Sequence, residues 1–172
     1  MSSASVALSS VSSEALSRYE DPGIGYSIDV PSHWTTVENK DLNTDSYEAK
    51  GTAFVSPVES GTTLDEAYFH VAQIAACPKI SGQQTTSTSV TIAGTAFERS
   101  TWDGAAAGNR YEGITYAGPK DAGCLVLTGF LHSCNLGPDC GANHSAPFNK
   151  DLYISTFDTM AKSVEFLAHP GD

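Results

Sequence analysis

The densest cluster of chemically capable side chains is HSCNLGPDCGANH, which places His132, Cys134, Cys140 and His144 within thirteen residues. Two thiolates and two imidazoles are a ligand set for zinc, and equally for copper, since both accept soft sulfur and imidazole nitrogen. The order argues against a zinc finger: each histidine lies outside its cysteine, and the Cys-x5-Cys spacing is wide. The reading that competes with metal is a disulfide between Cys134 and Cys140 across the turn-rich NLGPD segment. With that bridge closed, His132 and His144 remain as a weak two-histidine site, completed by a carboxylate such as Asp139.

Four cysteines (Cys77, Cys124, Cys134 and Cys140) permit three pairings. If Cys134 joins Cys140, Cys77 is left for Cys124. An even cysteine count with two expected disulfides is the usage of an oxidising compartment. The expected location is therefore extracytoplasmic: periplasmic, lipid-anchored or secreted. Pairing also removes the free thiol that Cys-His catalysis needs. No G-x-S-x-G elbow is present for a serine hydrolase. The adjacent carboxylates Glu20-Asp21 and Asp65-Glu66 point apart in extended chain, which does not suit glycoside chemistry. DLNTD (Asp41–Asp45) lacks the glycine and closing glutamate of a calcium loop. The sequon Asn143-His144-Ser145 matters only in a host that glycosylates it.

A second constellation is GNRYEG, residues 108–113. In an extended chain Arg110 and Glu112 share one face, and Asn109 and Tyr111 the other. Arg110 is one of nine basic residues and could clamp an anionic ligand. The alternative is a cross-strand charge network. Trp34 and Trp102 are candidates to line an apolar pocket or to anchor the core. The ligand-binding set read from the sequence is thus Arg110, Glu112, Trp102 and Tyr111.

These residues need elements to hold them. Tyr26, Ile28 and Val30 alternate as one face of a strand that ends at Pro31, and Trp34 with Val37 restarts an extended segment. Residues 39–50, NKDLNTDSYEAK, read as a polar connection, followed by a strand at 52–56. SGTTLDEA offers a cap-like threonine before Asp65-Glu66 and predicts one short helical turn. Tyr68–Ala75 is apolar on both faces, as in a central strand. Two strands meet at Ala93-Gly94. Residues 109–117 and 124–132 form a hairpin around GPKDAG, and CLVLTGFLH crosses the middle of the sheet. Tyr153, Ile154, Phe157, Met160, Ala161 and Val164 recur at helical spacing, predicting a helix over 146–163 with one buried stripe.

The 172 residues suit one domain. Residues 1–18 read as a flexible leader following an export signal absent from this sequence, and 19–172 as the folded domain. The balance of 20 acidic against 9 basic residues, a formal net charge of −11, disfavours nucleic acid and anionic lipid. No run of 18 apolar residues provides a membrane span. The expectation is a monomer with a protein or small-molecule partner.

The opening YEDPGIGYSIDVPSHWTTVE, with its aromatic strand and Pro-x-x-Trp turn, resembles the start of PsbP/Mog1-like domains. NKDLYISTFDTMAKSVEFL resembles their closing helix. AYFHVAQIAAC, GNRYEG and CLVLTGFLH resemble a group of bacterial exported proteins, often lipoproteins. The resemblance spans roughly residues 19–167. It implies an α+β fold, an antiparallel sheet flanked by helices with a long C-terminal helix packed on it, used as a binding or accessory module. Photosynthetic members of the family support a membrane complex, and nothing in this sequence ties it to that role. The expected function is an exported ligand-binding or accessory domain, with non-enzymatic use favoured; the alternatives are a metal-binding protein or metal-dependent enzyme using zinc or copper at His132 and His144 and, behind it, a serine hydrolase.

Overall fold

The computed structural model describes residues 15–80, 86–135, 140 and 146–168. Its main layer is a seven-stranded antiparallel sheet in the order β3-β4-β5-β9-β8-β7-β6. The strands are β3 (Thr35–Asn43), β4 (Glu48–Val55), β5 (Leu64–Ile74), β6 (Thr86–Ile92), β7 (Thr95–Ala106), β8 (Asn109–Lys120) and β9 (Gly123–Cys134). A smaller sheet joins β1 (Leu16–Asp21), β2 (Tyr26–Pro31) and β10 (Glu165–Phe166), with β2 in the middle. The helix α1 spans Lys150–Lys162.

The smaller sheet and α1 cover the same face of the larger one. Tyr26, Ile28 and Val30 of β2 pack with Phe157, Met160 and Ala161 of α1. Beneath them lie Phe54, Phe69, Leu125, Leu127 and Leu131 of the large sheet. The alternation read in β2 is therefore the core face it predicted. One glycine makes the fit possible: a Cβ at Gly129 would lie 2.2 Å from the Phe157 ring. The ring sits directly on the β9 backbone. Among the described residues α1 is the single helix, so the flanking layer is shared with a sheet instead of a second helix.

The helix start is set by Asn149, whose side-chain oxygen accepts the Leu152 N–H at 3.2 Å. The first helical residue is thus Lys150, later than the expected 146. Helix and sheet are then clasped by one arginine. Arg99 of β7 donates through Nε and Nη2 to the two Asp158 oxygens at 2.9 and 3.0 Å, and the Tyr116 hydroxyl donates to the same carboxylate.

Three further expectations are corrected. Residues 39–50 are not a connection but most of the β3–β4 hairpin, in register from Lys40↔Gly51 to Asn43↔Glu48. As an edge strand, β3 exposes polar side chains and buries mainly Leu42, so its alternation is faint. A bulge between Val37 and Lys40, with Asn39 at φ 56°, interrupts it further. The short helical turn at SGTTLDEA is absent. Thr62 closes a turn on the Glu59 carbonyl, and β5 begins at Leu64 opposite Ser133. The first strand begins at Leu16, ahead of the expected start at 19, and Arg18 within it bonds Asp29 at 2.9 Å.

The central hairpin is as expected. β9 lies between β5 and β8, and the β8–β9 register runs from Asn109↔Cys134 to Lys120↔Gly123. Cys77 is bonded to Cys124 and Cys134 to Cys140, with Cα separations of 5.0 and 5.4 Å.

Candidate functional site

Strand alternation assigns each candidate residue to a face. Residues 110, 112, 114 and 116 of β8 point toward α1, because Ile114 and Tyr116 belong to the core there. Residues 111, 113 and 115 point to the opposite face. The set proposed from the sequence is therefore divided.

Glu112 sits on the helix side, with its side chain only 8% exposed. Its Oε1 accepts from Lys150 Nζ at 2.5 Å, at the start of α1, and from Arg110 Nη2 at 3.4 Å. Asp103 stands opposite it in the β7–β8 register. One Asp103 carboxylate oxygen is buried without a hydrogen-bond partner. Arg110 and Glu112 form the charge network that was the alternative reading, and neither lines the cavity described next.

Trp102 and Tyr111 lie on the other face and meet there. The row that holds Trp102 crosses four strands in direct register: Tyr68↔Phe130, Phe130↔Gly113 and Gly113↔Trp102. Gly113 is the position that lets the row close. A Cβ there would come within 2.3 Å of the Trp102 ring. Without one, the indole lies across β8, and its Nε1–H donates to Thr115 Oγ1 at 3.0 Å. Trp102 and Phe130 then stand 6.0 Å apart and tilted, and Tyr111 and Phe130 6.3 Å apart. Such tilted pairs are favourable ring contacts. Tyr68 stacks against Phe130 at 4.8 Å, and His132 against Tyr111 at 4.8 Å.

The turn joining β3 to β4 reaches over this row. Thr44 Oγ1 accepts the Tyr47 N–H at 3.0 Å and its hydroxyl donates back to the Tyr47 carbonyl at 2.9 Å, fixing the turn. Tyr47 then extends inward, and its hydroxyl meets Thr128, which in turn bonds Thr115 at 3.2 Å. Burial pushes the Tyr47 phenol up to about 12, against the hydrogen bonds to Thr128 and Thr115 that lower it. The ring is therefore neutral at physiological pH. Between turn and sheet is a cavity of about 320 Å³. Its wall includes Tyr47, Ile80, Trp102, Tyr111 and Phe130, with Asn43, Thr44, Asp45 and Ser46 at the turn and Asp103–Ala106 along β7. Apolar rings with a few polar groups are the usual lining of a small-molecule site.

The histidines are held otherwise. His132 Nε2 is 3.1 Å from Asn109 Oδ1, so the ring is braced by an amide and by Tyr111. Cys134 and Cys140 are joined, so in this form they offer no thiolate. His144 and Asp139 lie outside the described residues, as does the sequon serine. Among the described residues no group of three or more His, Cys, Asp or Glu side chains is arranged to hold a metal. Trp34 meets Phe157 edge-on at 6.1 Å and belongs to the core.

Sequence reasoning found two of the rings, Trp102 and Tyr111, but missed Tyr47 and Phe130. Tyr47 had a signal: it is the lone aromatic in a polar stretch. Phe130 was hidden in an apolar strand whose two faces are hard to tell apart.

No family model matches the sequence, and no curated protein matches it. Among solved structures, the chain is similar to the solution structure of cyanobacterial PsbP (CyanoP) from Synechocystis sp. PCC 6803, at 16% identity and a TM-score of 0.47, over 92% of this chain and 96% of that one.

Proposed function

We propose that this protein is an exported binding domain that takes a small ligand into the cavity between the β3–β4 turn and the open sheet face. One observation carries the reading: rings from four separate segments, Tyr47, Trp102, Tyr111 and Phe130, converge on a single space of about 320 Å³. The main core lies on the other face of the sheet, and on this face Tyr47 and Phe130 also pack on a smaller cluster of Leu42, Ala53 and Tyr68. The space is at the lower end of the range for small-molecule sites, which begins at roughly 300 Å³. It suits a compact ligand with a ring-sized apolar part and a polar end held by the turn.

The extracytoplasmic assignment is supported by the two disulfides. No helix among the described residues is long and apolar enough to cross a membrane. The resemblance of the sequence to PsbP/Mog1-like domains favours an accessory role over catalysis. His70 Nε2 donates to the Lys40 carbonyl and His132 Nε2 to the Asn109 amide oxygen.

Thermal denaturation against a library of small ring compounds tests the reading, because a ligand that binds only the folded form raises Tm with its concentration. Compounds are expected to stabilise the native chain but not Tyr111→Ala, whose ring is half-buried at the cavity wall. Equal stabilisation of both proteins by every hit would place binding elsewhere and contradict the proposal.

A further inference from the structure

The chemistry of the cavity wall narrows its ligand, and this inference rests on the binding role just proposed. We infer that the cavity takes a small organic cation, an alkyl- or aryl-substituted ammonium, held over ring faces with a carboxylate nearby.

The wall is one-sided in charge. Tyr47, Trp102, Tyr111 and Phe130 supply π-faces, and Asp45 at the turn supplies a carboxylate; Asp103 borders the wall, but its side chain shares the α1 face with Glu112. Among the described residues it contains no lysine, arginine or histidine. Asp45 takes part in no ion pair among the described residues, whereas Glu66, Glu112 and Asp158 each do.

Ring faces carry the negative part of the aromatic quadrupole, so a cation within about 6 Å of a ring centroid is attracted, most strongly by Trp. Here two rings are also backed from behind. His132 stacks on Tyr111, and Tyr68 on Phe130, which fixes their orientation before any ligand arrives. The protein already uses the same interaction on the neighbouring side of the row, where Lys40 Nζ stands 4.6 Å from the Tyr68 centroid. A net charge of −11 draws cations toward the whole surface and repels anions. An anionic ligand would meet the Asp45 carboxylate and no cationic residue in the wall. A neutral ligand would gain the apolar contact but leave the charge pattern of the wall unused.

The test is isothermal titration calorimetry of the full, disulfide-bonded chain with three probes of matched shape. These are choline, its analogue in which carbon replaces the ammonium nitrogen, and the carboxylate of that analogue. Choline is expected to bind roughly tenfold more tightly than the neutral analogue, the carboxylate more weakly still. Asp45→Asn, at an exposed position, is expected to weaken choline about threefold while leaving the neutral analogue unchanged, and added salt should narrow the difference. Neutral binding equal to or tighter than choline would overturn the cation assignment and leave the cavity reading standing. Failure of all three probes, with ring compounds also failing to raise Tm, would remove both.

Discussion

Gly113 shows how one position on the sheet sets the candidate site. Its missing side chain is the space into which the Trp102 ring lies, 2.3 Å from where a Cβ would sit. Gly113→Ala is expected to destabilise the fold by about 1–3 kcal/mol through overpacking and to displace the indole from Thr115. Denaturant unfolding followed by the Trp102 signal measures both, and an unperturbed Trp102 would contradict the assigned geometry. Ala93 and Ala107 offer a different kind of lever. Each takes the first place in a two-residue hairpin turn at φ 48°, followed by Gly94 and Gly108 at 75° and 82°. A left-handed alanine costs roughly 1–2 kcal/mol, and asparagine tolerates the conformation better. Ala93→Asn is therefore expected to raise the unfolding midpoint without altering the site; a lower midpoint would refute the turn assignment.

Among the elements, α1 is held to the sheet by Phe157 over Gly129 and by the Arg99–Asp158–Tyr116 clasp. Burial raises the Asp158 pKa, but the hydrogen bonds from Arg99 and Tyr116 outweigh it, so the net shift is downward from 3.8. The folded carboxylate thus keeps its charge at a pH where the unfolded one is protonated. The clasp contributes fully above about pH 5 and is lost as pH falls below 3.8 toward the folded value. Asp158→Asn should cost about 1–3 kcal/mol at neutral pH and flatten that part of the acid-stability curve. At the other side of the sheet, β3 is tied to β5 by His70, whose Nε2–H donates to the Lys40 carbonyl at 3.0 Å beside the bulge. Burial pulls the His70 pKa below 6.5. The unfolded chain then binds a proton that the folded chain refuses, so stability declines as pH falls through 6.5. Unfolding free energies measured across pH are expected to show this earlier decline in the native chain and not in His70→Gln. A flat curve from neutral pH to pH 5 would contradict the buried, neutral histidine.

For the molecule as a whole, what was legible in the sequence was local. The β8–β9 hairpin, the helical stripe through Phe157 and Met160, and the Cys134–Cys140 bridge all follow from spacings within one element or one turn. The β3–β4 hairpin was not legible, because an edge strand such as NKDLN needs few apolar residues and a bulge breaks its period. The site was half legible for the same reason. Trp102 and Tyr111 stand on adjacent strands, but Tyr47 joins them only through the long-range order of the sheet. Likewise, residue types alone do not reveal that Arg110 and Glu112 face away from Trp102, toward Lys150. The Cys77–Cys124 bridge links loci 47 residues apart, and its removal is expected to cost about 4 kcal/mol in the chain-entropy account. A Cys77→Ala/Cys124→Ala protein unfolding at the native midpoint would show that the bridge is dispensable.

The central claim is that the space beside Trp102 is a ligand site while Trp34 belongs to the core. Labelling the chain with fluorotryptophan gives one fluorine resonance for each of its two tryptophans. Titration with a compound that raises Tm is expected to shift the Trp102 resonance and leave that of Trp34 in place. A shift confined to Trp34, or equal shifts of both, would contradict the account.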